Sequence, residues 1–255
     1  ETIYDVPNLM LKEGLDKVVL KKLGLIADKT PDLDSWNEFL RKFKNPKSFI
    51  EIGLVGKYVE LQDAYKSIIE AIGHAGAQNE VKVNIHFIHS EELLPENVPG
   101  LLQGLQGIIV APGFGDRGTE GKIEAIRYAR ENKIPFFGIC LGMQMAVIEF
   151  ARNILQLKNA NSTEMNPRTP HPVIDLMEDQ KKVTEKGGTM RLGAWDCKLD
   201  KNSKAFEAYG TDFISERHRH RFEYNNAYFE RFTLAGLKAT GVNPNTGLVE
   251  IVEIP

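Results

Sequence analysis

Short apolar segments alternate with amphipathic ones from Phe49 to Ile154, and this alternation restricts the fold more than any other feature of the chain. The strand-like segments are FIEIGLVGKY, VKVNIHFI, GIIVA and IPFFGI. Between or after them, LQDAYKSIIEAIGHAG, KIEAIRYARENK and LGMQMAVIEFARNI have helical spacing. Several strands are apolar on both faces, which is typical of parallel sheets covered by helices on both sides. The sequence therefore predicts an α/β fold with an open, mostly parallel sheet flanked by helices.

The remaining segments predict a connector at one end and extended structure at the other. In residues 1–46, LMLKEGLDKVVLKKLGL and DSWNEFLRKF have helical spacing, which predicts two short helices before a domain that spans 47–255. After residue 158 the segments PVIDLM, MRLGAWDCKL, ERHRHRFEY and GLVEIVEI are strand-like, so the second half is expected to add extended structure. The charged segment MEDQKKVTEKGG is predicted to be an exposed loop.

Composition excludes several classes of protein. With a net charge of -3, the chain has no basic excess to bind a polyanion, so nucleic acid is not an expected partner. Its longest apolar runs are far shorter than the roughly 18 residues of a membrane span, so no membrane association is expected. The two cysteines and the lack of a recognisable signal sequence favour a reducing, cytoplasmic compartment without structural disulfides.

One cysteine stands at a candidate catalytic turn. Cys140 lies between Gly138 and Gly142, directly after a strand-like segment and directly before a helical one. A sharp strand-to-helix turn needs small neighbours, and the helix N-terminus favours a thiolate and lowers the thiol pKa. The backbone N–H groups that follow, Leu141 first, are candidate donors to an oxyanion. The alternative is a buried cysteine that acts as a small apolar side chain.

A glycine-rich loop, PGFGDRGTEG, follows the strand GIIVA. Ligands bind at the carboxyl ends of strands in open α/β sheets, so this loop is expected to lie at the site, with the Gly113 N–H as a second oxyanion donor. A phosphate-binding loop or a simple turn are the alternatives. Lys122 follows Gly121, but no Ser or Thr follows Lys122, so the phosphate-loop spacing is absent.

Several motifs together resemble one family. GICLGMQ is similar to the nucleophile motif of class I, triad-type glutamine amidotransferases, and PGFG is similar to their oxyanion loop. NANSTE, GGTMRLG and ERHRHRFE resemble the glutaminase domain of the CTP synthase family, from about Phe49 to the end of the chain. The resemblance implies a flavodoxin-like sheet of the class I glutamine amidotransferase type.

The same resemblance implies roles for individual residues. Cys140 would attack L-glutamine, Glu164 would bind its α-amino group and Arg221 its α-carboxylate. The other implied oxyanion-binding or substrate-binding residues are Gly113, Leu141, Gly142, Met143 and Gln144, and the implied lid loop includes Phe114, Gly115, Arg117 and Gly118. No metal ligand is implied in this domain.

The resemblance also implies partners. The opening ETIYDVPNLMLKEGLD resembles the join to an upstream amidoligase domain, where ATP and Mg²⁺ would act on UTP. GTP would activate the parent enzyme, and the parent would be a homotetramer. No cofactor is expected in the glutaminase domain itself.

The sequence motifs do not identify a catalytic base for Cys140. Alternation along a strand predicts that His218 and His220 face away from Arg221, and in the family neither histidine is the base. The family's His-Pro-Glu string does not occur here, so the domain is expected to be truncated at its C-terminus and to turn over little glutamine. Another class I amidotransferase, a related cysteine hydrolase and a non-catalytic regulatory domain remain alternatives.

Overall fold

A computed structural model describes residues 2–26, 30–176 and 191–255, without the side chain of Gln62. It divides into two compact units, Glu1–Glu51 with Asp63–Asn84 and Ile52–Gln62 with Ile85–Pro255. The segment Met177–Gly188, predicted to be an exposed loop, lies outside the described residues.

The first unit is mainly helical. Its α-helices are α1 (Val6–Lys12), α2 (Leu15–Leu23), α3 (Asp34–Lys44) and α4 (Lys66–Gln78). The sequence predicts two helices before residue 46, but three are found, because the first predicted helix is broken at Gly14. That glycine has a φ of 70°, in the left-handed region that disrupts a right-handed helix.

Aromatic side chains form the interior of this unit. The ring of Tyr4 meets those of Trp36, Phe39 and Phe43 edge-on, with centroids 5.2 to 5.9 Å apart. The indole Nε1 of Trp36 donates to the carbonyl oxygen of Tyr4 at 2.9 Å, so α3 is joined to the chain start by both packing and a hydrogen bond.

The parallel sheet predicted from the sequence is present. Strands β1 (Ser48–Gly56) and β2 (Val81–His89) begin in the first unit and end in the second, whereas β3 (Gly107–Val110) and β4 (Phe136–Gly138) lie in the second. The order is β2-β1-β3-β4. Ile52 pairs with Gly107 and Ile108 with Phe136, both in parallel register.

Three helices of the second unit accompany this sheet, namely α5 (Val98–Leu102), α6 (Thr119–Glu131) and α7 (Leu141–Asn153). The core between the strands and these helices contains fully buried aliphatic side chains, among them Val55, Ile108, Val110, Ile126, Met145 and Ile148. Each such side chain stabilises the fold by roughly 1.5 to 3 kcal/mol relative to exposure. The core thereby fixes the carboxyl ends of β3 and β4, where the candidate site begins.

The second half of the chain adds two further sheets, as predicted. The first has the order β11-β10-β7-β8 and is antiparallel, with strands β7 (Arg191–Leu199), β8 (Phe213–His220), β10 (Lys238–Val242) and β11 (Val249–Glu253). The other has the order β5-β6-β9, with β5 (Asn161–Ser162), β6 (Pro172–Leu176) and β9 (Phe222–Tyr224). Helices α8 (Lys204–Tyr209) and α9 (Phe229–Ala235) complete the described part of this unit. None of the helices described here has the length and apolarity needed to cross a lipid bilayer.

Candidate active site

Cys140 occupies a strained turn between β4 and α7. Its φ of 54° and ψ of -106° lie outside the regions that non-glycine residues ordinarily adopt. A Cβ on Gly138 would approach the carbonyl carbon of Gly142 to 2.6 Å, and one on Gly142 would approach the Val110 carbonyl oxygen to 2.2 Å. Both flanking positions therefore require glycine, as the sequence argument predicts. Strain retained at a strand-to-helix turn is typical of a nucleophile.

The thiol pKa differs from the sequence prediction. The helix N-terminus was expected to lower it, but burial raises the pKa of Cys140 above its ordinary value despite the opposing effect of the Leu141 N–H. Burial raises the pKa of Cys197 further, to about 11, with Glu250 and Glu216 adding to the effect. Desolvation outweighs the helix terminus because the sulfur lies in the interior rather than at the helix surface.

One cavity of about 180 Å³ brings half of the predicted site residues together. Its lining comprises Gly113, Phe114, Cys140, Gln144, Glu164, His220, Arg221 and Phe222. Each of these residues belongs to the second unit. A thiol, a carboxylate and a guanidinium therefore line one small cavity, although Arg221 is far from Cys140 in the sequence.

Glu164 and Gln144 are held by backbone groups of the cavity wall. Oε1 of Glu164 accepts a hydrogen bond from the Gly115 N–H at 3.0 Å, which fixes the carboxylate beside the glycine-rich loop. The Gln144 side chain is buried and donates from Nε2 to the carbonyl oxygen of Phe222 at 3.0 Å. Both side chains are thus oriented before any ligand binds.

Arg221 shares its cavity with His220, which the sequence argument placed on the opposite face. That prediction is wrong because β8 ends at His220 and β9 begins at Phe222, so Arg221 lies at a break in the strand. Alternation of side chains holds only along continuous extended backbone. The break lets two successive side chains line the same cavity.

The residues around the helix start have different environments. Leu141 is buried and its N–H contacts the Cys140 sulfur. The Gly142 N–H donates instead to the Ile139 carbonyl oxygen at 2.9 Å, so it is engaged in the turn itself. Met143 is partly buried and packs against the core rather than lining the cavity.

The predicted lid loop divides into two parts. Phe114 lines the cavity with about half of its surface exposed, and Gly115 contacts Glu164. Arg117 instead stacks over the Tyr58 ring at 5.4 Å and pairs with Glu91 at 3.1 Å. Gly118 precedes α6, where a Cβ would lie 2.4 Å from the Ser90 Oγ.

A buried charged cluster lies next to the cavity. Two carboxylates, Glu250 and Glu223, lie 2.5 Å and 3.6 Å from the buried Arg191 guanidinium. Burial raises the pKa of Glu223 to about 8, and burial together with His218 lowers the pKa of His220 to about 4. At neutral pH both Glu223 and His220 are therefore uncharged.

Glu223 and His220 lie close together without a hydrogen bond between them. His220 Nδ1 lies 3.3 Å from Glu223 Oε1, but within the described residues neither atom has a hydrogen-bond partner. His220 Nε2 instead shares a hydrogen bond with His218 Nδ1 at 2.7 Å. An imidazole with a pKa of about 4 is a weak base, so the histidine that lines the cavity is poorly suited to take a proton from Cys140.

Sequence reasoning missed two lysines behind the glycine-rich loop. Lys57 is buried and its ammonium donates to the carbonyl oxygen of Phe114. Lys122 is fully buried and donates from Nζ to the Ala111 carbonyl oxygen at 2.8 Å. A signal for Lys122 was present, because Ala125, Ile126 and Ala129 follow it at the spacing of one helix face.

Within the described ranges, no group of three or more His, Cys, Asp and Glu side chains has an arrangement suited to a metal ion. The side chains that line the cavity contribute thiol, carboxylate, amide and guanidinium groups.

Comparison with known proteins agrees with this arrangement. The profile of the glutamine amidotransferase class-I family matches residues 60–255. A CTP synthase of Christiangramia forsetii is 66% identical over 253 residues, which cover 99% of this chain and 46% of that protein. A CTP synthase of Bacteroides thetaiotaomicron is 55% identical, with 100% of this chain and 48% of the relative covered. The chain thus spans about half the length of the curated relatives it matches.

A similar solved structure indicates which kind of domain this chain is. The Trypanosoma brucei CTPS glutaminase domain with bound acivicin is 40% identical, covers 81% of each chain and superposes with a TM-score of 0.75. The family profile, the aligned relatives and the shared fold agree with the strained cysteine turn. The chain belongs to the class I glutamine amidotransferase family, among the glutaminase domains of CTP synthases.

Proposed function

We propose that Cys140 is the nucleophile through which this chain releases ammonia from L-glutamine. The observation that carries the proposal is the shared cavity, in which a strained cysteine lies with a carboxylate, Glu164, and a guanidinium, Arg221. A zwitterionic amino acid needs one anion and one cation at a fixed separation. The similar T. brucei glutaminase domain with bound acivicin supports a role in glutamine hydrolysis.

The α-groups of the substrate set its orientation. The Glu164 carboxylate, fixed by the Gly115 N–H, would accept from the α-ammonium group, and Arg221 would donate to the α-carboxylate in the bidentate geometry that Arg favours. The side-chain amide then extends toward Cys140. The N–H groups of Gly113 and Leu141 are the donors we assign to the oxyanion.

The reaction has two halves. The Cys140 thiolate attacks the side-chain amide carbon, the S–C bond forms, and the C–N bond breaks as the nitrogen takes a proton and leaves as ammonia. Water then attacks the γ-glutamyl thioester, which breaks the S–C bond and gives glutamate and the free thiol. Because burial raises the pKa of Cys140, ionisation of the thiol is the step that most needs assistance.

A diazo-ketone analogue of L-glutamine tests this assignment. We expect one covalent adduct by intact mass, located at Cys140 by peptide mapping, since Cys197 is buried and its thiol has the higher pKa. L-glutamine should protect against labelling and Cys140→Ala should abolish it. An adduct on Cys197, or equal labelling of both thiols, would refute the proposal.

The concentration dependence of labelling tests the binding residues. Glu164→Gln and Arg221→Gln should raise the half-saturating analogue concentration by roughly 30-fold to 1,000-fold, as expected for loss of about 2 to 4 kcal/mol. Glu96→Gln and Arg219→Gln change exposed residues of the same types and serve as matched controls. Unchanged saturation in both site variants would remove Glu164 and Arg221 from the substrate site.

In the whole protein we propose that residues 47–255 supply ammonia and that residues 1–46 connect them to an amidoligase domain. That domain would use ATP and Mg²⁺ to activate UTP for conversion to CTP, with GTP as an activator and a homotetramer as the assembly. The support is the identity to CTP synthases about twice as long as this chain.

A further inference from the structure

Two lysines donate hydrogen bonds to opposite ends of the loop that carries Gly113. Nζ of Lys122, in the first turn of α6, donates to the carbonyl oxygen of Ala111 at 2.8 Å. Lys57 follows β1 and donates to the carbonyl oxygen of Phe114. The loop between these carbonyls is thereby fixed by two lysines that do not line the cavity.

Lys122 is an unusual residue for such a position. Its side chain is fully buried, and lysine is almost never fully buried without an ionic partner. Within the described residues no carboxylate forms an ion pair with it. A carbonyl oxygen satisfies one of its three N–H groups but does not neutralise its charge.

The Lys122 ammonium lies near the cavity that contains Cys140. The ammonium nitrogen lies 3.8 Å from the position that a Cβ on Gly113 would occupy, and Gly113 and Cys140 line the same cavity. Among the charged groups that act on the Cys140 sulfur, Glu164 disfavours the thiolate and Lys122 favours it. Burial, with a contribution from Lys57, lowers the pKa of Lys122 to about 8, while the Cys140 thiolate opposes that shift.

We propose that Lys122 is a positioning residue for the nucleophile: from behind Gly113, its buried ammonium stabilises the ionised Cys140 and fixes the Ala111 carbonyl. The inference rests on the proposed function, in which Cys140 attacks glutamine. This role explains why a cation is kept on the buried face of α6, where the neighbouring side chains of Ala125 and Ile126 are apolar. The charge partly offsets the desolvation that opposes thiolate formation.

The test follows the ionisation of Cys140 without glutamine. The pH dependence of its alkylation by iodoacetamide is measured in a Cys197→Ser background, with and without Lys122→Met. We expect the apparent thiol pKa to rise by about one unit or more, which slows alkylation near pH 7.5 about tenfold. Lys158→Met removes an exposed lysine of the same unit and should leave the profile unchanged.

A second variant separates charge from hydrogen bonding. Lys122→Gln keeps an N–H donor for the Ala111 carbonyl but removes the charge, so it should shift the profile as Lys122→Met does. A Lys122→Gln profile that matches the parent would overturn the proposal, and so would loss of the fold in both variants, since Lys122 would then be merely structural. Failure of the diazo-ketone to label Cys140 would instead refute the glutaminase assignment and leave this alkylation result intact.

Discussion

At the scale of single residues, Glu223 and His220 show how the interior sets charge. Burial raises the pKa of the carboxyl to about 8 and lowers that of the imidazole to about 4, so each favours its neutral form at pH 7. Both groups are thus buried without a charge, although no hydrogen bond joins them. This arrangement leaves the Arg191 guanidinium to pair mainly with Glu250.

We expect the raised pKa of the Glu223 carboxyl to make the free energy of unfolding depend on pH. In the folded chain Glu223 keeps its proton up to about pH 8, whereas the unperturbed carboxyl ionises near 4.5. Between these values the folded state binds more protons, so the free energy of unfolding falls as pH rises. Between pH 6.5 and 8, where His220 is neutral, we expect Glu223 to lower the free energy of unfolding of the parent by about 1.5 kcal/mol. Glu223→Gln should abolish this decrease.

Urea unfolding at several pH values measures this difference. Glu230→Gln, at an exposed position on α9, is the matched control and should keep the slope of the parent. Identical slopes for the parent and Glu223→Gln would mean that Glu223 is ionised in the folded chain. A pKa of about 8 for Glu223 would then be wrong.

At the scale of elements, the turn between β4 and α7 depends on close backbone approach. Gly142→Ala would place a methyl group 2.2 Å from the Val110 carbonyl oxygen, and rigid backbone on both sides prevents simple relief. We expect this variant to destabilise the chain by about 1 to 3 kcal/mol and to slow labelling of Cys140, because the turn must shift.

Gly100→Ala is the matched control for the turn. Gly100 lies within α5 and a Cβ there meets nothing within 4 Å, so Ala should be neutral or slightly stabilising. The two variants are compared by urea unfolding and by the rate of diazo-ketone labelling. Equal stability of the two variants would show that the strand and the helix can move apart at the turn without a loss of stability.

Elements were predictable from sequence where periodicity decides them. The four strands of the parallel sheet and helices α4, α6 and α7 match apolar patterns that extend over several residues. The break at Arg221 was not predictable, because RHRHR alternates without interruption and only tertiary pairing ends β8 at His220. Cys140 was identifiable from its glycines, but the direction of its pKa shift was not, because burial depends on residues distant in sequence.

At the scale of the whole molecule, two chemistries are expected to separate. The cavity with Cys140 lies entirely in the second unit. The chain spans about half the length of the CTP synthases that it matches. We therefore expect ammonia release without nucleotide amination.

The last prediction compares these two activities directly. Incubated with L-glutamine, ATP, Mg²⁺ and UTP, the chain should release ammonia but form no CTP. Release should be slow, because a His220 pKa of about 4 makes this imidazole a weak base, and a well-matched base ordinarily contributes about 100-fold to 10,000-fold. Coupled detection of ammonia and chromatography of nucleotides measure the two products, with Cys140→Ala as the blank. CTP formed by the purified chain would contradict the division of labour, and ammonia release that survives in Cys140→Ala would show that the thiol is not the nucleophile.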